Sequence, residues 1–302
     1  MTAPRALDRL SDGAFDWLEH NLEHFDPYSG RAASATHVRA KAVLELALLC
    51  SCSARLGDPP GARLAAAAAL VHEIWRRPEF LELLDEYPAH ADTYSLIYAA
   101  LAPAGCDLSL RKSALARLSP GFLSPGGKSA YQCLEIRYYA DRVGVRHGID
   151  PYPRLIEQSR MTVVPGEARL TLADAYAVTH SGFYLGDFGR NRSALDGDPL
   201  ARARALVGAI LDYSLRHDQW DLAAELVITQ YILGIEPLGD ARGAAAVRRL
   251  SEVQRPDGAL PGRSPAEAAP RAASPARFFA AAYHTTLVTA LMALIISRGR
   301  SA

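Results

Sequence analysis

The sequence predicts an all-α protein, an α/α toroid of about six inner and six outer helices in one domain over residues 1–302. Three observations lead there. Apolar residues recur at helical spacing in almost every segment, and alternating β-branched runs are absent. Pro and Gly fall between the periodic segments, where helix breakers belong. The helices also alternate in character. One set is Ala-, Leu- and Arg-rich with a solvated face: 6–25, 62–77, 108–118, 151–160, 200–217 and 241–254. The other is apolar nearly all round with isolated polar residues: 33–56, 92–102, 129–143, 170–188, 220–235 and 276–297. Helices apolar all round are buried ones. Outer and inner helices taking turns is the pattern of a toroid. The apolar set starts near residues 34, 91, 129, 171, 219 and 276, too irregularly for a strict repeat. A bundle or a helical-hairpin solenoid shows the same alternation.

In chain order, helix 6–25 carries Leu7, Leu10, Phe15, Leu18 and Leu22 and ends at Asp26-Pro27-Tyr28-Ser29-Gly30. Helix 33–56 stops at Gly57-Asp58-Pro59-Pro60-Gly61, and the Ala-rich helix 62–77 stops at Pro78. A short helix or turn covers 80–87. Helix 92–102 has Asp92 as its N-cap. Helix 108–118 closes at Ser119-Pro120-Gly121, and a Gly/Pro loop leads to 129–143. After the short helix 151–160 comes 170–188, then a polar loop, 200–217, 220–235 and 241–254. A Pro/Ala/Gly/Ser loop at 256–275 precedes the last helix.

Composition excludes some partners. Lys+Arg and Asp+Glu are both 33, so net charge is zero. Nucleic acids and anionic membranes need a basic field, so neither is expected. The N-terminus has no apolar core of a signal peptide, and the run 287–297 is too short to span a bilayer. The expected compartment is the cytoplasm. Cys50, Cys52, Cys106 and Cys133 form no CxxC pair and read as buried thiols.

The stretch LTLADAYAVTHSGFYLGDFGR (170–190) is the most informative. As one helix it sets Tyr176, His180, Tyr184 and Asp187 on one face, with Leu172, Val178, Phe183 and Leu185 left to pack. In a toroid the inner helices share a mouth, so their polar residues converge. Candidates are His37, Lys41 and Glu45; Asp92, Tyr94 and Tyr98; Tyr131, Glu135, Tyr138 and Arg142; Asp221 and Glu225; and Tyr283, His284 and Thr285. His180, Asp187, Glu135, Tyr184, Glu225 and His284 are the expected catalytic residues. His37, Tyr94, Tyr131, Tyr176, Arg142 and Tyr283 are the expected substrate-binding ones. Each also has a structural reading: Glu135 as an ion-pair partner of Arg137 or Arg142, the histidines and tyrosines as hydrogen-bonded core residues.

Two chemistries use such a set. His180 serves as general acid or base, oriented by Asp187 or Glu135, while Tyr176 or Tyr184 polarises the substrate. Alternatively His37, His180 and His284 with Glu135 or Glu225 hold zinc or iron. No HExxH, HxH or HxxxH pair marks a local metal site. The first reading is preferred, with no cofactor.

Other motifs fall away. Asp187-Phe188-Gly189 lacks every other kinase element. Residues 121–129 have one residue too many before Lys128 for a P-loop, and no strand precedes them. There is no GxSxG, GxGxxG or DDxxD.

Gln254-Arg255-Pro256-Asp257-Gly258-Ala259-Leu260 resembles the Q-x-x-D-G-x-W motif of triterpene cyclases and other α/α toroids, with Leu260 in place of the aromatic residue. The strings LEIRYYADRVGV (134–145), THSGFYLGDFG (179–189) and YHTTLV (283–288) resemble an uncharacterised all-helical actinobacterial family associated with secondary-metabolite gene clusters. That resemblance implies a tailoring role and favours His180, Asp187, Glu135 and His284. The function expected is acid–base tailoring (elimination, cyclisation, isomerisation or hydrolysis) of a small-molecule or peptide substrate. The alternatives are a non-catalytic binding protein of the same pathway and a His/carboxylate metal enzyme.

Overall fold

A computed structural model describes residues 1–29, 36–56, 62–162, 170–262 and 275–299. The chain is all-helical, 70% helix, with no strand among the described residues. The helices are α1 (Ala3–His20), α2 (Leu22–Phe25), α3 (Thr36–Arg55), α4 (Ala62–Trp75), α5 (Glu79–Asp85), α6 (Ala91–Leu101) and α7 (Leu108–Ala116). They continue as α8 (Ala130–Val143), α9 (Tyr152–Gln158), α10 (Leu172–Leu185), α11 (Gly197–Arg216), α12 (Trp220–Ile232), α13 (Ala241–Val253) and α14 (Pro275–Gly299).

The chain divides into two compact units. The first comprises 1–17, 129–135 and 151–302, and the second comprises 18–128 and 136–150. In the first unit α12 is the axis of the core and packs on α10, α11, α13 and α14. Its residues Trp220 to Gln230 are all buried, the apolar-all-round pattern at work. Around it, α11 and α13 bury one face each: Ala203, Val207, Ile210 and Leu211 on α11, and Ala246, Val247 and Leu250 on α13. α14 is long and apolar enough to cross a membrane by length and composition, yet 78% of that window is buried inside the protein, as in a core helix. Trp17, Phe279 and Tyr283 stack in series at 5.9 and 5.3 Å. In the second unit α3 packs on α4 and α6, and α6 on α5 and α7. Its centre is an aromatic trio, in which Trp75 stacks on Tyr98 at 5.1 Å and Phe80 closes the group. Trp75 Nε1 donates to the Tyr98 carbonyl and Tyr98 Oη donates to the Trp75 carbonyl, both at 3.0 Å.

The triterpene-cyclase-like fragment has a structural job in the first unit. Gln254 is buried, and its Nε2 donates to the Leu10 and Gly258 carbonyls at 3.2 and 3.1 Å. Asp257 accepts from the Ala259 amide, and the Leu260 amide donates to Thr286 Oγ1. Gly258 has a φ of 89°, and a Cβ there would stand 2.0 Å from the Gly13 carbonyl oxygen. The turn thus clamps α1 against α14, and only glycine fits its tip.

Several expectations need correction. The helix expected over 6–25 breaks at Asn21 into α1 and α2. Asp92 is not an N-cap: α6 begins one residue earlier, after His90, and Asp92 Oδ1 accepts from the Ser119 amide instead. α11 begins at Gly197, after Asp196, rather than at 200. Of the four cysteines, Cys52 and Cys133 are buried, but Cys50 and Cys106 are only half-buried. The Cys50 thiol is nevertheless pushed up to about 12 by its surroundings.

The helix expected over 170–188 stops at Leu185. Its start is a capping box, with the Thr171 side chain accepting from the Asp174 amide and Asp174 reaching back to the Thr171 amide. Its end is a left-handed turn: Asp187, Phe188 and Gly189 have φ values of 48, 52 and 81°. Asp187 therefore does not continue the stripe of Tyr176, His180 and Tyr184. It sits in the turn, 3.6 Å from Arg190.

Candidate active site

The candidate site lies wholly within the first unit, on residues 129–135 and on α10, α12 and α14. Two pairs of residues one turn apart build its centre: Tyr176 and His180 on α10 face Asp221 and Glu225 on α12. The helices approach closely because α10 carries glycines on that side. A Cβ at Gly182 would stand 3.0 Å from Thr229 Cγ2, and one at Gly186 would stand 2.4 Å from Ile232 Cγ2. Two absent methyl groups let α12 lie against α10, and the polar rungs upstream come into register.

Glu225 is the centre of the cluster, a carboxylate 1% exposed on an apolar helix. The Thr179 hydroxyl donates to its Oε2 at 2.5 Å. Its Oε1 faces two imidazoles, His180 Nε2 at 3.7 Å and His284 Nε2 at 3.9 Å. These distances are those of ion-pair contacts rather than hydrogen bonds. One turn away, Tyr176 donates a short hydrogen bond to Asp221 Oδ2, while Asp221 Oδ1 is buried without a hydrogen-bond partner. Tyr184 donates to Glu135 Oε1 at 2.6 Å. Aromatic rings surround the imidazole of His180: Tyr131 edge-on at 6.2 Å, Tyr176 at 6.1 Å and Phe183 at 5.8 Å.

Burial, the largest influence on His180, pulls its pKa down, but the charge of Glu225, aided by Glu135, outweighs that and His284, and the net shift is upward. The side chain is 35% accessible, and that of His284 is 34% accessible. Both imidazoles therefore keep about a third of their surface open while facing the buried Glu225. Burial, reinforced by the charge of Glu135, also raises the Tyr131 phenol above its ordinary value.

Thus His180, Glu225, His284, Glu135, Tyr184, Tyr131 and Tyr176 are held in one unit, with Glu225 joining the two histidines. Tyr283 is adjacent but is 5% exposed and stacks on Phe279. Tyr94 and Arg142 belong to the second unit and make local contacts there. Tyr94 stacks on His90 at 5.4 Å. Arg142 donates to the Ala100 carbonyl at 3.0 Å, to the Tyr138 hydroxyl and to Ser51 Oγ. The side chain of His37 lies outside the described residues. Arg137 donates to the carbonyls of Ile149 and Asp150 and lies 3.3 Å from Asp141.

Thr179 was not among the expected site residues, and Asp221 was a candidate without an assigned role. Thr179 reads as a core threonine beside a histidine. Asp221 is visible only as the i−4 neighbour of Glu225. The available signal was the two-rung match between α10 and α12, which needs the helix pairing to be read. Among the described residues no group of three or more His, Cys, Asp or Glu could hold a metal ion. Glu225, His180 and His284 are nonetheless donors of the type zinc and iron take.

Fold and cluster together define an all-helical protein with a buried carboxylate between two histidines. The chain belongs to the family described as a domain of unknown function, DUF6895, which matches residues 11–294. No curated protein and no solved structure gives a significant match.

Proposed function

We propose that this protein is a cytoplasmic tailoring enzyme of natural-product biosynthesis, acting by acid–base chemistry on a small-molecule or peptide-derived substrate. The observation that carries the proposal is the placement of Glu225 Oε1 against both His180 and His284. A buried carboxylate flanked by two imidazoles favours one imidazolium beside one neutral ring, so an acid and a base are present together near neutral pH. His180, whose protonated form is favoured, is the general acid, and His284 is the partner base. Tyr184 and Tyr176 give their phenol protons in hydrogen bonds to Glu135 and Asp221 and so hold those carboxylates in place beside the substrate. Elimination, cyclisation, isomerisation and hydrolysis all need such a pair. The alternation of apolar and amphipathic helices supports an α/α toroid as the container. The tailoring context rests on the sequence resemblance noted above.

The test is replacement of His180 by Gln, and separately Glu225 by Gln, in a strain that carries the gene, followed by comparative metabolite profiling. One product should disappear and its precursor accumulate while the protein remains abundant and helical. Unchanged profiles from both variants would overturn the enzymatic reading and leave a binding protein. Metal analysis of the purified protein runs alongside. Stoichiometric zinc or iron would move His180, His284 and Glu225 from proton transfer to ligation.

A further inference from the structure

We infer that the site recognises a protonated amine of its substrate through the free carboxylate oxygen of Asp221. The inference rests on the reading of this same cluster as the substrate site and adds a substrate class to it. Asp221 is 8% exposed. Tyr176 satisfies Oδ2, and Oδ1 is buried with no donor. A carboxylate oxygen shut away from water without a donor costs free energy of folding. Such an orphan persists where its partner arrives with a ligand.

The surroundings favour a cationic donor over a neutral one. Asp221 and Glu225 lie one turn apart on the α12 face that meets α10, and neither α10 nor α12 carries a Lys or Arg. The Tyr176 hydroxyl meets Asp221, and the rings of Tyr176 and Tyr131 lie 6.1 and 6.2 Å from the His180 ring. Two carboxylates one turn apart, with no Lys or Arg on either helix, leave negative charge that an ammonium would offset. Tyr176 fixes the Asp221 carboxylate through Oδ2, so the free oxygen is presented in a set direction. An ammonium seated there would hold the carbon beside it one helical turn from His180.

The test uses the full-length protein and benzylamine at neutral pH, where it is a cation, against benzyl alcohol and sodium chloride as controls. Benzylamine at tenfold its Kd should raise Tm by about 2 °C, while equal concentrations of the alcohol and the salt should not. Asp221→Asn should lose the amine shift while keeping wild-type circular dichroism. Equal shifts by amine and alcohol, or an undiminished amine shift in Asp221→Asn, would overturn the inference. If Asp221→Asn fails to fold, the wild-type comparison of amine with alcohol decides alone. The two readings fail separately. An absent amine preference sinks amine recognition whatever the metabolite profiles show. Unchanged profiles in the His180 and Glu225 variants sink proton transfer whatever the melts show.

Discussion

Glu225 Oε1 stands 3.7 Å from His180 Nε2, with the carboxylate almost wholly buried and the imidazole half open. Removing the carboxylate charge reverses the balance on the ring, because burial then acts with less opposition. Glu225→Gln should therefore lower the His180 pKa, read by NMR titration of the ring protons. The wild-type value should lie above about 6.5. Stability follows with a defined sign. A raised histidine pKa contributes stability that is full below the unfolded-state value and is lost as pH rises through the folded-state value. Urea unfolding from about pH 6 upward should show that loss in the wild type and less of it in Glu225→Gln. A His180 pKa that does not move in the variant would separate the two groups.

Tyr184→Phe removes the donor to Glu135 Oε1 without changing shape. A hydrogen bond to a charged group contributes about 1.5–3 kcal/mol, so equilibrium unfolding should show a loss in that range. The Tyr131 phenol, which feels the charge of Glu135, gives an independent readout. Its absorbance titration should shift in Glu135→Gln in the downward direction.

Gly186→Ala places a methyl group 2.4 Å from Ile232 Cγ2. Overpacking of this kind costs about 1–3 kcal/mol. The same change should disturb the Glu225–His180 pairing upstream and lower the His180 pKa toward its ordinary value. Loss of stability with an unmoved His180 would show that the seam and the site are independent.

Gly258→Ala meets both a φ of 89° and the Gly13 carbonyl oxygen at 2.0 Å. Left-handed strain and overpacking together should cost about 2–5 kcal/mol in a denaturant melt. A loss under about 1 kcal/mol would mean the clamp relaxes freely.

Helix type and order were legible because periodicity and breakers are local. The apolar-all-round character of 220–235 marked α12 as a core helix, and Glu225 within it as costly to bury. The end of α10 was not legible. Gly186 and Gly189 flank Asp187 and Phe188, and nothing local says that these two adopt left-handed backbone. Tyr94 and Arg142 sit on helices that read like those of the site but belong to the second unit, a division no local pattern marks. Thr179 went unread, and Asp221 was read without a role, for a further reason. Their roles come from the register between two helices, which depends on Gly182 and Gly186 rather than on the polar residues themselves.

That glycine seam separates two jobs along one pair of helices. The upstream turns carry Tyr176 and His180 against Asp221 and Glu225. The downstream turns, by what they lack, set how far apart those groups stand. The coupling between ionisable groups falls with distance, so Gly182 and Gly186 act as a spacer for Glu225 and His180. A variant that tunes the site without altering a single ionisable group would be sought there, two residues past His180 at Gly182 or six past it at Gly186.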